Sequence, residues 1–206
     1  MTDYFQLFNE VRRPWIEQAT LKQKFLAKSA AVHPDRVHLA TASEQSNATD
    51  AYTELNTAYQ TLREPKDRLL HLLTLESGAK PRAVQTIAGG SMQLFVKVAG
   101  QCQAADKFLA ERTQAPSPLL KVQFFAQSQD WIERLSSLQQ EVQKELETLY
   151  QDLQGMNKDW EEAPVSGSPL RLARLPMARL EEIYRALSYI NKWNAELRER
   201  LVQLAI

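Results

Sequence analysis

The side chains best suited to recognition or chemistry stand in one run near the start of the chain: His33, Pro34, Asp35 and Arg36. A carboxylate such as that of Asp35 can form a directional, two-point pair with an arginine of a partner. With His38 the run also holds three potential metal ligands, but Pro34 restricts their convergence and a fourth ligand is not evident. No nucleophile with an orienting base accompanies them. We therefore predict no catalytic residue, bound metal or cofactor in this run.

A helix is predicted on each side of this run. Before it, Leu21, Phe25 and Val32 recur at helical spacing. Glu17 can cap that helix, and Pro34 must end it near Val32, because proline lacks a backbone N–H and disfavours helical geometry at the residue before it. After the run, a second apolar stripe follows: Ala51, Leu55, Ala58, Tyr59 and Leu62. The run therefore lies in a loop between two helices.

The ends of the next helices are also marked in the sequence. Thr41 to Glu44 has the spacing of a capping box, which predicts a helix that begins near residue 42. Pro65 suits the first position of a fourth helix, because its missing N–H would be unpaired there in any case. That helix should end before Gly78, and the segment from Ser77 to Pro81 has the composition of a linker.

Three further helical patterns follow the linker. Their apolar residues are Phe95, Ala99, Cys102 and Leu109 in the first, Trp131, Leu135, Leu138, Val142, Leu149 and Leu153 in the second, and Leu180, Ile183, Leu187, Ile190, Leu197, Leu201 and Leu204 in the third. The last two patterns are narrow and nearly heptad-like, so they should pack as an antiparallel pair. We predict an all-α fold in three parts: a domain at 1–77, a linker at 78–90 and a helical bundle at 91–206.

The order helix, His-Pro-Asp, helix within the first part resembles a J domain, the co-chaperone module that drives ATP hydrolysis by DnaK-type chaperones. Two further segments, Asp3 to Phe8 and Leu55 to Leu73, resemble the first helix and the later helices of J domains of the HscB type. HscB-like proteins are iron–sulfur co-chaperones in which the J domain, a helical hairpin with short flanking helices, precedes a C-terminal three-helix bundle. The resemblance implies a co-chaperone and not an enzyme, with a DnaK-type chaperone ATPase as partner.

The resemblance also implies which residues bind the chaperone. They are His33, Pro34, Asp35, Arg36, Lys22, Lys24 and Lys28. Asp35 would contact an arginine of the chaperone, Pro34 would hold the shape of the loop, and the lysines would meet an acidic chaperone surface. Lys24 matches a basic position of HscB, but the chain departs from the family at three usually basic positions: Leu26, Ala27 and Ala31. Weakened or redirected chaperone docking is therefore an alternative.

The first bundle helix of HscB-like proteins binds an iron–sulfur scaffold through leucine, methionine and glutamate side chains. In the corresponding stretch, residues 92–99, the residues that best match the apolar part of this pattern are Leu94 and Phe95. The glutamates are missing and Lys97 has the opposite charge, so the other interpretation places Leu94 and Phe95 in the bundle core. A scaffold protein is the first candidate client. The alternatives are another client, a dimerising bundle, or an adaptor without productive chaperone contact.

Composition narrows the choice of partner and location. The 25 basic and 25 acidic residues give no net charge, whereas nucleic-acid binding normally needs a basic surface. No run approaches the roughly 18 apolar residues of a membrane span, and the N-terminus lacks a signal-peptide pattern. We expect a cytoplasmic protein that binds neither nucleic acid nor membrane. Cys102, the single cysteine, lies on an apolar stripe and is predicted to be a small buried hydrophobe.

Overall fold

The computed structural model describes residues 1–33, 41–81, 92–114 and 118–205. Within these ranges the chain forms eight α-helices and no β-strand. The helices are α1 (Tyr4–Leu7), α2 (Gln18–Val32), α3 (Ala42–Arg63), α4 (Pro65–Ser77), α5 (Met92–Thr113), α6 (Pro118–Glu161), α7 (Arg171–Arg174) and α8 (Met177–Ala205). The all-α fold predicted from the sequence is confirmed.

The chain divides into two compact units. The first unit is Met1–Ala83 with Asp152–Tyr184, and the second unit is Val84–Gln151 with Arg185–Ile206. Both long helices, α6 and α8, therefore contribute residues to each unit. The division at 1–77, 78–90 and 91–206 follows chain order and stays a prediction. Residues 82–90 of the predicted linker lie outside the described residues.

The helices that flank the candidate loop end where the sequence predicts. α2 ends at Val32. The hydroxyl of Thr41, the N-cap residue of α3, accepts from the Glu44 N–H at 3.4 Å, and the Thr41 N–H donates to the Glu44 carboxylate at 2.9 Å. The Thr41 hydroxyl also donates to the Glu44 carboxylate at 2.7 Å, and this bond together with the one from the Thr41 N–H holds the pKa of Glu44 below its ordinary value. Glu17 occupies the N-cap position of α2, but its side chain makes no capping hydrogen bond.

Proline and glycine set the limits of α4. Pro65 is its first residue, as predicted, and Gly78 follows its last. Gly78 has φ 75°, in the left-handed region that glycine adopts without steric cost, and its N–H donates to the Thr74 carbonyl at 3.0 Å. The predicted bounds of this helix are confirmed.

An apolar seam joins α2 to α3 within the first unit. Phe25 of α2 stacks on Tyr59 of α3, with ring centroids 4.2 Å apart. The other side chains of the seam are buried: Leu21, Leu55, Ala58 and Leu62. Burial of each leucine stabilises the fold by about 1.5–3 kcal/mol. The seam therefore fixes the relation between the two helices that carry the candidate loop.

A buried arginine fixes the extended segment that leads into α2. Arg68 of α4 is fully buried, and its Nε donates to the Pro14 carbonyl at 2.8 Å. Its Nη1 donates to the Leu62 carbonyl at 2.7 Å, and the guanidinium lies 5.6 Å from the Trp15 ring centroid. The hydrogen bonds and the aromatic face offset the cost of burying this charge. Arg68 therefore joins α4 to the end of α3 and to the segment before α2.

Polar contacts of the first unit hold residues 152–184 against the N-terminal helices. The guanidinium of Arg171 donates twice to the Glu76 carboxylate, each time at 2.8 Å, and once to the Pro164 carbonyl at 2.6 Å. Asn157 pairs with the backbone of Trp15: its amide oxygen accepts from the Trp15 N–H at 2.9 Å, and its amide nitrogen donates to the Trp15 carbonyl at 3.0 Å. Removal of one partner of a buried ion pair costs about 3–5 kcal/mol.

His71 of α4 is a buried hydrogen-bond acceptor for α1. Its Nε2 accepts from the Tyr4 N–H at 3.1 Å, and its ring stacks on the Tyr4 ring with centroids 4.4 Å apart. Burial lowers the pKa of His71; nearby Asp3 opposes this shift and Arg12 reinforces it. The ring must be neutral to accept this bond, because a protonated imidazole is a donor at both nitrogens.

The lowered pKa of His71 makes stability depend on pH. Because the fold favours the neutral ring, the contribution of His71 is present above the ordinary histidine pKa of 6.5 and is lost as the pH falls toward the folded-state value. In His71→Gln, the amide oxygen can still accept from Tyr4 without titrating. We expect the melting temperature of the wild type to fall more steeply between about pH 7 and 5 than that of His71→Gln. Equal changes of melting temperature with pH in the two proteins would contradict the assignment of His71 as a neutral hydrogen-bond acceptor.

In the second unit, α5 buries a stripe that differs from the predicted one. Its buried residues are Val98, Cys102, Ala105 and Phe108. Ala99 is exposed, and Phe95 and Leu109 are half-buried. The prediction was wrong at Ala99 because apolar residues are adjacent at 98 and 99, and spacing alone did not choose between them. Cys102 is buried as predicted, and burial raises the pKa of its thiol.

The predicted apolar stripes of α6 and α8 are confirmed along most of their length. The buried members are Leu135, Leu138, Val142, Leu149 and Leu153 on α6, and Leu180, Ile183, Leu187, Ile190, Leu197 and Leu204 on α8. Trp131 and Leu201 are half-buried. The stripes extend the core to the end of α6, where Trp160 is 2% exposed.

Polar contacts show the antiparallel arrangement of α6 and α8. In the first unit, Arg179 of α8 pairs with Asp152 of α6. In the second unit, Arg112 of α5 donates to the Ser128 hydroxyl of α6 at 3.2 Å and to the Leu204 carbonyl of α8 at 3.1 Å. Later residues of α6 thus meet earlier residues of α8. The predicted long antiparallel hairpin of a three-helix bundle is confirmed.

A substitution at Leu187 tests the apolar stripe of α8, because this side chain is only 1% exposed. We expect Leu187→Asp to unfold the second unit, since an unpaired buried charge costs about 3–5 kcal/mol, a large share of the stability of a domain. Val202→Asp is the matched control on the same helix, because Val202 is 57% exposed. Circular dichroism and thermal melting should show loss of structure in the first variant only. A stable, helical Leu187→Asp protein would contradict this account of the core.

Candidate functional site

The structure describes the first residue of the predicted recognition loop. His33 is the C-cap residue of α2, with extended backbone (φ −62°, ψ 129°). Its ring meets the Tyr52 ring of α3 edge-on, with centroids 5.2 Å apart and planes at 73°. Pro34, Asp35 and Arg36 lie outside the described residues, so the roles predicted for them stay predictions. Tyr52 is a contact that the apolar pattern did not indicate.

Helical geometry separates the three lysines that were predicted to bind the chaperone. At about 100° per residue, Lys24 and Lys28 lie on the same side of α2 as Leu21 and Phe25, which face α3. Both lysines are half-exposed there. Lys22 lies about 100° from Leu21, at the edge of the outward side, and is exposed. The lysines therefore do not form one continuous basic surface.

Lys24 takes part in contacts that hold α2 to the turn after α1. Its Nζ donates to the Glu10 carboxylate at 2.7 Å and to the Asn9 carbonyl at 3.2 Å. Glu10 also accepts from Arg13 at 2.9 Å, and its side chain is only 5% exposed. The charge of Lys24 is therefore balanced within the first unit. No periodic pattern in the sequence connects Lys24 with Glu10, and the proposed contact of Lys24 with a chaperone stays a prediction.

The side of α2 that points away from α3 is almost uncharged. We call it the outer face. Its members, all exposed, are Ala19, Thr20, Gln23, Leu26, Ala27 and Ala30, with Lys22 and Ala31 at its two edges. Leu26, at 54% exposure, has the largest apolar side chain of the face. The three positions where the chain departs from the basic J-domain pattern, Leu26, Ala27 and Ala31, all lie on it. The loss of basic residues at these three positions therefore leaves this one surface almost uncharged.

The predicted client-binding residues lie near the start of α5. Leu94 and Phe95 are both half-buried, and the Phe95 ring is 6.1 Å from the Trp193 ring of α8. They therefore combine a packing role with partial exposure. The next residue, Val96, is 62% exposed. The Lys97 ammonium lies 2.6 Å from the Glu141 carboxylate of α6, so the positive charge that distinguishes this stretch is balanced by a residue that the sequence pattern did not indicate.

The described residues contain neither a cluster of metal ligands nor a membrane-spanning helix. Among the described residues, no group of three or more His, Cys, Asp and Glu side chains is close enough to hold a metal ion. Of the three ligands considered in the sequence, Asp35 and His38 lie outside those residues. In the same ranges, no helix has both the length and the apolar character needed to cross a membrane.

Comparisons with known proteins connect this fold to a class. No protein-family model matches the chain. The co-chaperone protein HscB homolog of Chromobacterium violaceum is 38% identical over 73 residues, which are 35% of this chain and 42% of that protein. The HscB homolog of Neisseria meningitidis is 29% identical over 150 residues, 73% of this chain and 78% of that protein. The structure of HscB from Vibrio cholerae superposes with a TM-score of 0.59 at 19% identity, covering 98% of this chain and 99% of that one.

Sequence and fold together make this chain similar to J-domain co-chaperones. Within that class, the relatives of this chain are HscB-type co-chaperones, and HscB has the same all-α fold. The resemblance to HscB seen in the sequence is therefore confirmed. The first of these alignments spans less than half of the relative's own length.

Proposed function

We propose that this protein stimulates ATP hydrolysis by a DnaK-type chaperone. The observation that carries the proposal is the arrangement around the loop: α2 ends at Val32, α3 begins behind Thr41, and His33-Pro34-Asp35 stands between them in the sequence. The HscB co-chaperones among its relatives support the same role. We also propose that the protein acts in the cytoplasm, as the sequence predicts.

The loop would act as a recognition element anchored at both ends. At one end the His33 ring packs on Tyr52, and at the other the capping box fixes Thr41. Anchored ends reduce the entropy that a loop loses when it binds. Asp35 would then offer its carboxylate to an arginine of the chaperone, in a charge-assisted pair that an amide does not reproduce.

Stimulation would follow from a shift between conformations of the ATPase. A ligand shifts such an equilibrium only by binding one state more tightly than the other. The co-chaperone would therefore favour the hydrolysing state of the chaperone through its own binding energy. In this proposal no side chain of the co-chaperone takes part in a covalent step, so the protein is not itself an enzyme and needs no cofactor.

A single-turnover ATPase assay tests this role. Substoichiometric wild-type protein should raise the rate of a cognate DnaK-type chaperone, and His33→Gln or Asp35→Asn should abolish the increase. Asp50→Asn is the matched control, because Asp50 is an exposed carboxylate on α3 outside the loop. All variants should keep the helicity and melting temperature of the wild type, apart from small surface effects within about 0.5 kcal/mol. Equal stimulation by the wild type and both loop variants would refute the proposed role.

For the client, we propose an iron–sulfur scaffold protein that binds the exposed side of α5. Support comes from the HscB-type relatives and from Leu94 and Phe95, which remain partly exposed beside Val96. The charge pattern of this region differs from the HscB pattern, because the glutamates are missing and Lys97 has the opposite charge. That charge is balanced by Glu141. Binding would therefore depend on apolar contacts more than on charge.

Titration calorimetry with the organism's own scaffold protein tests the client. Leu94→Ala with Phe95→Ala should weaken binding by roughly 2 kcal/mol or more, as truncated interface anchors do. Val202→Ala on α8 serves as the control, since it also shortens an exposed apolar side chain. Melting curves must show that the double variant remains folded, because Phe95 also contacts Trp193. No complex between the wild type and the scaffold at high micromolar concentration would favour another client or a dimerising bundle.

A further inference from the structure

α2 is held in the first unit chiefly by one neighbouring helix, α3. Along the whole of α2 only Leu21 is buried, and Phe25 adds its ring contact with Tyr59. Gln18, the first residue of the helix, also donates to α3, through the Arg63 carbonyl at 2.8 Å. Crossing angles of packed helices vary by about 15–20° around their preferred values. A single seam therefore leaves the tilt of α2 open, and a contact from another direction is needed to fix it.

The turn after α1 supplies that contact. Asn9 has φ 51°, in the left-handed region that asparagine tolerates better than most residues. The turn places two acceptors around the Lys24 ammonium: the Glu10 carboxylate at 2.7 Å and the Asn9 carbonyl at 3.2 Å. The Glu10 side chain is only 5% exposed and also accepts from Arg13 at 2.9 Å. Because little water can reach this carboxylate, it depends on its two cationic donors, and Lys24 is held firmly.

The distance from Lys24 to the candidate loop makes this contact matter for function. His33 follows Lys24 by nine residues, or about 13 Å along the helix at 1.5 Å per residue. A tilt of about 10° at Lys24 would move His33 by roughly 2 Å over that length. The same movement would disturb the edge-on contact between His33 and Tyr52, whose ring centroids are 5.2 Å apart. A directional pair between Asp35 and an arginine does not tolerate such a displacement.

We propose that Glu10 is a positioning residue for the candidate loop and that it acts through Lys24, by fixing the tilt of α2. The inference rests on the proposed function and deepens it, because it gives Lys24 a role within the first unit in place of a contact with the chaperone. Without Glu10, the protein still binds the chaperone but stimulates it less, since the loop is displaced. Salt has little influence on this effect, because a partly buried ion pair is screened much less than an exposed one.

NMR of the histidine rings in the full-length protein tests the structural step. The chain has three histidines, and His33→Gln identifies the His33 signals. Tyr52→Leu shows how these signals move when the neighbouring ring is lost. Glu10→Gln and Lys24→Met should each move the His33 signals in that same direction, at a temperature well below melting. Glu162→Gln, which makes the same change in an exposed ion pair, is the matched control and should leave them unchanged.

The second measurement is single-turnover ATPase stimulation as a function of co-chaperone concentration. Glu10→Gln and Lys24→Met should each lower the maximal stimulation about fivefold or more, as small misplacements of a reacting group do. The half-saturating concentration should change less than about twofold, at both about 50 and 300 mM salt. The double variant should be no worse than either single variant, because both remove the same contact. Lys24→Arg, which keeps a cationic donor, should retain most of the stimulation.

The outcomes separate this inference from the proposed function. If Asp35→Asn abolishes stimulation while Glu10→Gln stimulates like the wild type, the function stands and the positioning role is wrong. A higher, salt-dependent half-saturating concentration in Lys24→Met alone would assign Lys24 to direct chaperone contact and overturn the inference as well. Unchanged His33 signals in Glu10→Gln would also overturn it. If the wild type does not stimulate the ATPase, the proposed function fails, and the NMR comparison still decides whether Glu10 fixes His33.

Discussion

The buried guanidinium of Arg68 is the contact on which the first unit depends. It lies where three parts of the chain meet: α4, which carries it, the end of α3 through Leu62, and the extended segment through Pro14 and Trp15. A buried charge is tolerated only when hydrogen bonds and aromatic or ionic contacts replace water. These contacts fix the point from which α2 starts, and thereby the direction in which α2 carries His33. The candidate site is thus positioned by a residue that is distant from it in sequence.

Most of the fold could be predicted from local patterns. The capping box of Thr41 and Glu44, Pro65 and Gly78 each depend on a few neighbouring residues, so the sequence specifies these helix ends directly. The long stripes of α6 and α8 repeat often enough to be unambiguous. On α5, where apolar residues are adjacent at 98 and 99, the pattern allowed two registers, and the core uses Val98. Periodicity therefore predicts a helix better than it predicts which residues the helix buries.

Long-range polar contacts were not predictable in this way. The pairs Lys24 with Glu10, Arg171 with Glu76 and Lys97 with Glu141 join residues with no fixed spacing, and each side chain alone is typical of a solvated surface. Of these pairs, Arg171 with Glu76 joins residues 152–184 to the first 83 within the first unit. For the candidate site, the tripeptide and its flanking helices were visible in the sequence. The positions of the lysines around α2 could be predicted from the rotation of about 100° per residue. The pairing of Lys24 with Glu10 is seen only in the tertiary structure.

The contact between Asn157 and Trp15 has a consequence for how relatives of this protein can vary. Asn157 binds only the backbone N–H and carbonyl of residue 15, so any residue except proline at position 15 could keep both hydrogen bonds. Position 157 has much less freedom, because a carboxylate there would lose the donor and an alanine would lose both groups. The two positions are therefore not expected to covary, although they are 142 residues apart in sequence and in direct contact. Covariation between aligned sequences would overlook a contact that links two distant segments of the chain.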